Sequence, residues 1–178
     1  MTSGSAKNLS LLCTALALLM GTGQGLCSQA VDTVSSSPEL LSGFLYFGDG
    51  SGRYLSSVEH RFPQNLSPHE LAVALINRLI QDPPQGLSRT LPRETRLNAL
   101  FIDREGNAYI DLDDTITNKL PGGAEAELLA IYSIVNSLVL NIPEIKQIKF
   151  LIQGTDARTF TGHMDLDDFF KANMLIIR

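Results

Sequence analysis

The stretch from Arg96 to Leu166, RLNALFIDREGNAYIDLDDTITNKLPGGAEAELLAIYSIVNSLVLNIPEIKQIKFLIQGTDARTFTGHMDL, decides the fold. Leu97, Ala99 and Phe101 alternate with Asn98, Leu100 and Ile102, so both faces of this run are mostly apolar, as in a central strand. Asp103-Arg104-Glu105-Gly106-Asn107 is a turn, and Ala108 to Leu112 returns as a second strand, closing a hairpin. Gly122-Gly123 opens the main helix, with Glu125 and Glu127 in the first turn where negative charge complements the dipole. Leu128, Ile131, Val135 and Leu138 make one stripe that Ala124, Tyr132 and Val139 broaden, which predicts a largely buried helix. Asn136 is its one polar intrusion, expected to be a satisfied structural hydrogen-bonder. Asn141-Ile142-Pro143 ends the helix, and Ile145, Ile148, Phe150 and Ile152 line a strand that stops at Gly154. Strands, then a long helix, then a strand imply a small α+β domain.

Upstream, Phe44-Leu45-Tyr46-Phe47 is β-prone, Gly48-Asp49-Gly50-Ser51-Gly52 is a loop rich in residues that tolerate positive φ, and Arg53 to Phe62 is a return strand. The loop lacks the Gly-Lys-Ser/Thr ending of a phosphate-binding loop and leads into an extended segment, so it is read as a turn only. Ser67-Pro68-His69-Glu70 starts a helix with Ser67 as N-cap, Pro68 at the first helical position and Glu70 completing a capping box. Leu71, Leu75 and Leu79, beside Ala74 and widened by Val73, Ile76 and Ile80, carry it against a sheet to about Gln81, before Asp82-Pro83-Pro84 stops it.

With 178 residues, 44% apolar and 19% charged, the chain has material for one domain plus a leader. A net charge of −5 without any Lys/Arg run argues against nucleic acid. Lys7 precedes the apolar run Leu9 to Met20, short for a membrane span and suited to a signal peptide over residues 1–30. Ser28-Gln29-Ala30 places small side chains for cleavage between Ala30 and Val31. An uncleaved N-terminal anchor is the alternative. Cys13 and Cys27 both lie in this leader, so cleavage removes every thiol from the mature chain, whereas a bacterial lipoprotein would carry its lipid on Cys27. Residues 31–42 read as a polar spacer and 43–178 as the folded domain. The expected location is extracytoplasmic, periplasmic or at the cell surface, with membrane contact only through leader or lipid.

Two acidic motifs invite chemistry. Tyr109-Ile110-Asp111-Leu112-Asp113-Asp114-Thr115 matches the first motif of haloacid-dehalogenase-type phosphatases, in which one carboxylate is the nucleophile and the next a general acid beside Mg²⁺. That chemistry needs later strands of a parallel sheet, and too little chain follows Asp113 to supply them. The simpler reading is acids that cap the short turn Thr115 to Leu120. A second Asp-Leu-Asp-Asp, Asp165 to Asp168, lacks the spacing of a calcium loop, and His60, His69 and His163 lack paired zinc spacing. No catalytic residue, metal or cofactor is assigned.

Asn136-Ser137-Leu138, Ile142 to Ile148, Phe150-Leu151-Ile152-Gln153-Gly154 and Thr159-Phe160-Thr161-Gly162-His163-Met164-Asp165-Leu166 together resemble the GerMN domain, a family named from spore germination and sporulation. Leu45-Tyr46-Phe47, the helix Leu71 to Leu79 and Leu87-Ser88 before Leu91-Pro92 fit the same pattern, so the resemblance covers Gly43 to Leu166. It implies an α+β fold similar to ring-building modules, with two helices on one face of a small mixed sheet. It also implies a non-catalytic envelope interaction or assembly module whose partner is an envelope protein or a second copy. A peptidoglycan- or glycan-binding auxiliary to a cell-wall hydrolase is the alternative. Tyr54, His60 and His163 are the candidate surface contacts, and His163 is also expected to pin the tail to the sheet.

Overall fold

The computed structural model describes residues 39–178. The expected leader 1–30 with Cys27, the expected cleavage between Ala30 and Val31, and positions 31–38 lie outside the described residues. The fold is α+β, with elements β1 Leu40–Gly48, β2 Leu55–Pro63, α1 Pro68–Ile80, β3 Leu97–Ile102, β4 Asn107–Leu112, α2 Thr115–Lys119, α3 Ala124–Val139, β5 Gln147–Ile152, β6 Thr155–Asp156 and a final 3-10 turn Met174–Ile176. β1 starts inside the stretch read as spacer, because Leu40 to Ser42 pair with Pro63 to Arg61.

The strands form two sheets where one was expected. β1 and β2 make an antiparallel pair of their own, and the second sheet runs β3-β4-β5-β6. β4 pairs antiparallel with β3 and parallel with β5, and α3 fills the crossover that a parallel pair requires. β3 is therefore an edge strand, not the central one its two apolar faces suggested. Leu100 and Ile102 turn toward the interior, while Phe101 stays 62% exposed on the outer face. An apolar outer face and a buried one look alike in sequence.

The start of α1 follows its sequence signature. Ser67 Oγ accepts from the Glu70 amide at 3.2 Å, and Glu70 Oε2 accepts from the Ser67 amide at 2.8 Å. Leu71, Ala72, Leu75, Ile76 and Leu79 of this helix are buried. They share one core with Leu45 and Phe47 of β1, Ala108, Ile110 and Leu112 of β4, Ile148 and Phe150 of β5, and Ile131, Ile134, Val135 and Leu138 of α3. Both main helices thus serve both sheets.

α3 is largely buried, but not along the expected stripe alone. Ala124 is exposed and Leu128 half-buried, and the buried set includes Leu129, Ile134 and four polar residues: Glu127, Ser133, Asn136 and Ser137. Two side chains of this helix and one just past it, at four-residue spacing, meet the free edge of β1. Ser133 Oγ donates to the Tyr46 carbonyl at 2.6 Å, and Ser137 Oγ accepts from the Tyr46 amide at 3.1 Å. Asn141, just past the helix, accepts from the Phe44 amide and donates to the Phe44 carbonyl, both at 2.7 Å. Helix side chains replace a neighbouring strand, closing an edge that would otherwise be open to pairing.

The C-terminal segment ties the sheets together. Phe170 exchanges two backbone hydrogen bonds with Ile148 of β5, each 2.8 Å, and the Arg178 amide donates to the Leu55 carbonyl of β2 at 2.8 Å. Between these points Asn136 accepts from the Asn173 amide at 2.9 Å and donates to the Asn173 carbonyl at 3.0 Å. Asn136 is the satisfied hydrogen-bonder its position predicted.

Candidate functional site

The tail after β6 is organised by one carboxylate. Glu127 is fully buried, and its two oxygens accept from Thr159 Oγ1 at 2.6 Å, the Phe160 amide at 2.8 Å, the Thr161 amide at 3.1 Å, Thr161 Oγ1 at 2.7 Å and the His163 amide at 3.0 Å. Burial alone would raise the pKa of this acid, but these donors favour the charged form more strongly and bring it down to about 2. Glu127 thus does more than complement the helix dipole. It is the pin of the tail.

This corrects the role expected of His163. The residue is tied to α3 and not to the sheet, mainly through its backbone amide, while Nδ1 lies 3.3 Å from Glu127 Oε2 and from Thr161 Oγ1. The ring itself is exposed, beside an open depression lined by Arg158, Met164, Asp165 and Asp167. Below it, the nearly buried Lys149 donates to the Leu166 and Asp167 carbonyls at 3.1 and 2.5 Å, fixing the acidic end of the tail. No cluster of three metal-ligating side chains occurs among the described residues.

Tyr54 and His60 are half-buried, unlike the exposed contacts they were expected to be. The Arg178 guanidinium lies 3.6 Å from the centre of the Tyr54 ring, and His60 meets Phe62 edge to face at 4.8 Å. Burial and the nearby Arg78 charge lower the His60 pKa. Each of the three candidates has its own set of neighbours, so they do not form one site.

The acids of the phosphatase-like motif hold structure. Asp111 accepts from the Gly154 amide at 2.9 Å, steadying the tight β5–β6 turn in which Gln153 and Gly154 both have positive φ. Asp113 accepts from the Arg96 amide at 2.8 Å and from Thr115 Oγ1 at 2.6 Å. The expected capping of the following turn is only partly met, because Asp114 occupies the N-cap of α2 without a side-chain bond. The glycine-rich loop is a turn as read: Asp49 Oδ1 accepts from the amides of Ser51, Arg53 and Tyr54 at 3.1, 3.3 and 3.4 Å.

Two further surfaces are open. One is a cleft of about 390 Å³ where the β1–β2 loop meets the start of α3, with Leu120, Pro121 and Leu129 among its apolar lining and Gly48, Gly52, Gly122 and Gly123 contributing backbone. The other is the outer face of the second sheet. There Phe101 of β3 and Tyr109 of β4 have ring centres 6.3 Å apart, and Phe169 of the tail meets Tyr109 edge to face at 5.7 Å.

Residues 44–158 match the family model for the Germane domain, described as sporulation and spore germination. The chain belongs to the Germane family. Among solved structures, the fold is similar to the tandem GerMN domains of the sporulation protein GerM from Bacillus subtilis, with a TM-score of 0.62, 21% identity and coverage of 75% of this chain and 46% of that one. This chain therefore spans about half the tandem structure. The first GerMN domain of the same protein gives a TM-score of 0.58 at 22% identity, covering 74% of this chain and 97% of that one. A putative lipoprotein from Clostridium perfringens gives 0.53 at 24%, covering 74% and 87%. No curated protein matches the chain.

The segment Thr159 to Leu166, which follows the matched residues, is thus a loop built around Glu127. Sequence reading missed that carboxylate, although an acid facing into an apolar helix was a usable signal. The Phe101, Tyr109 and Phe169 cluster had a weaker one, since Phe169 lies beyond the stretch that carried the resemblance.

Proposed function

We propose that this chain is a non-catalytic interaction module of the bacterial cell envelope, acting outside the cytoplasm. The observation that carries this reading is the open outer face of the β3–β6 sheet, where the exposed Phe101 and Phe169 flank the half-buried Tyr109 in one aromatic cluster. Aromatic groups gathered on an exposed face are the composition of a protein contact. Membership of a sporulation and germination family, and a lipoprotein name on one relative, support an envelope setting. The partner is an envelope protein or a second copy of the chain. Light scattering on the purified mature domain tests self-association, and pull-down from envelope extract tests a protein partner. The Phe101→Ser variant should lose either interaction by tenfold or more while unfolding at the same denaturant concentration. An interaction indifferent to Phe101→Ser would refute this surface.

The alternative reading, a peptidoglycan- or glycan-binding auxiliary to a cell-wall hydrolase, draws on the cleft at the start of α3. Concave sites with a partly apolar lining and a few polar groups are where small ligands bind. Pull-down on peptidoglycan sacculi separates the two. Retention that survives salt and is unchanged by Phe101→Ser favours the auxiliary.

A further inference from the structure

The end of α1 and the loop after it bring three guanidinium groups to Asp82, two of them to its carboxylate. Arg89 and Arg93 both contact the Asp82 carboxylate, and Arg78 Nη1 donates to the Asp82 carbonyl at 3.2 Å. Part of this is helix capping: Arg89 Nη1 also donates to the Ile80 carbonyl at 2.6 Å, at the end of α1 where cations are favoured. Capping does not account for Arg93, which bonds no helix carbonyl and whose side chain is 65% exposed. Each guanidinium offers five N–H donors. Arg78 bonds through Nη1 and Arg93 through Nη2, which leaves further donors on both of these residues, and both line an open cavity of about 470 Å³ with Ile80, Gln81 and Asp82. The nearby Lys119 and Glu94 neutralise each other at 3.1 Å. The Arg-rich cluster is thus a pocket of positive charge on a chain of net charge −5.

We infer that this cavity docks a single phosphoryl group carried by a small soluble phosphate. Guanidinium forks match phosphate oxygens in pairs, and Arg78 and Arg93 both line the cavity. Asp82 holds the arginines in place when the cavity is empty and competes with the arriving anion for Arg93. A membrane of anionic lipids fits less well. The site is concave, and a broad anionic plane would meet the acidic remainder of the surface, whereas one phosphoryl group feels only charges within a Debye length, about 8 Å. The site is separate from the Phe101 face, so either can fail without the other.

Calorimetry with glycerol 3-phosphate and inorganic pyrophosphate on the folded domain tests the inference, alongside co-sedimentation with phosphatidylglycerol vesicles. The expected result is millimolar or tighter binding of the phosphates, weakened at least fivefold by Arg93→Gln, strengthened by Asp82→Asn and unchanged by Lys119→Gln. Arg93 is exposed enough for its variant to fold, and urea unfolding checks this. Absence of phosphate heat at 10 mM ligand in both wild type and Asp82→Asn would overturn the inference. So would binding indifferent to Arg93→Gln, or vesicle binding lost with Arg93→Gln while free phosphates fail to bind.

Discussion

Glu127 must be charged to hold the tail, because both of its oxygens accept from hydroxyl and amide donors. Its pKa is about 2 in the folded protein, against an ordinary value of 4.5. A depressed folded value means that the stabilisation is fully present above pH 4.5 and is lost as pH falls toward 2. The size of the loss is on the order of 3 kcal/mol. Urea unfolding across this range should show that decline, with little change from this group above pH 5. Glu127→Gln removes the charge and sets an amide N–H₂ against donors, so it should cost about 2–4 kcal/mol at pH 7 and flatten the acid limb. A variant as stable as wild type would show that the tail is held by other means. Asn136 works on the same scale, spending both ends of its amide on Asn173.

Among the elements, α3 combines two codes in one helix. Its apolar residues follow the helical period and were legible. Its second code, Ser133, Ser137 and Asn141 at steps of four, imitates the hydrogen-bonding edge of a strand, and serines in a helix carry no mark of which strand they will meet. Ser137→Ala leaves the buried Tyr46 amide without an acceptor and should cost about 1–3 kcal/mol. Asn141→Ala should cost less, because the Phe44 amide and carbonyl lie at an exposed position and can bond water. Hydrogen exchange should accelerate at Tyr46 in the first variant and at Phe44 in the second. At α1 the code is local and was read in full: Ser67→Ala should lower stability by about 1 kcal/mol in the same unfolding assay.

Across the whole molecule, the segment after Leu166 joins β5 and α3 to β2, which lies far from them in sequence. Deleting residues 171–178 should lower Tm by roughly 10 °C, since the buried Asn136 amide loses both partners along with the contacts of Ile176 and Ile177. The Asn136→Ala change should then cost less in the truncated chain than in the full one, which thermal unfolding of the four variants measures as a coupling energy. Additive effects would mean that the segment acts independently of Asn136.

The amino-acid sequence by itself determined the α+β class, the capping box of α1 and the extent and burial of α3. These rest on periodicity and on residues within a few positions of one another, which act before the chain closes on itself. Tertiary structure alone decided that the strands divide into two sheets, that β3 lies at an edge, that Tyr54 is covered by Arg178, and that Glu127 gathers the tail. Each of these depends on groups tens of residues apart, whose meeting is set by which apolar faces share the core. Periodicity records that a face is apolar and carries no record of what lies against it.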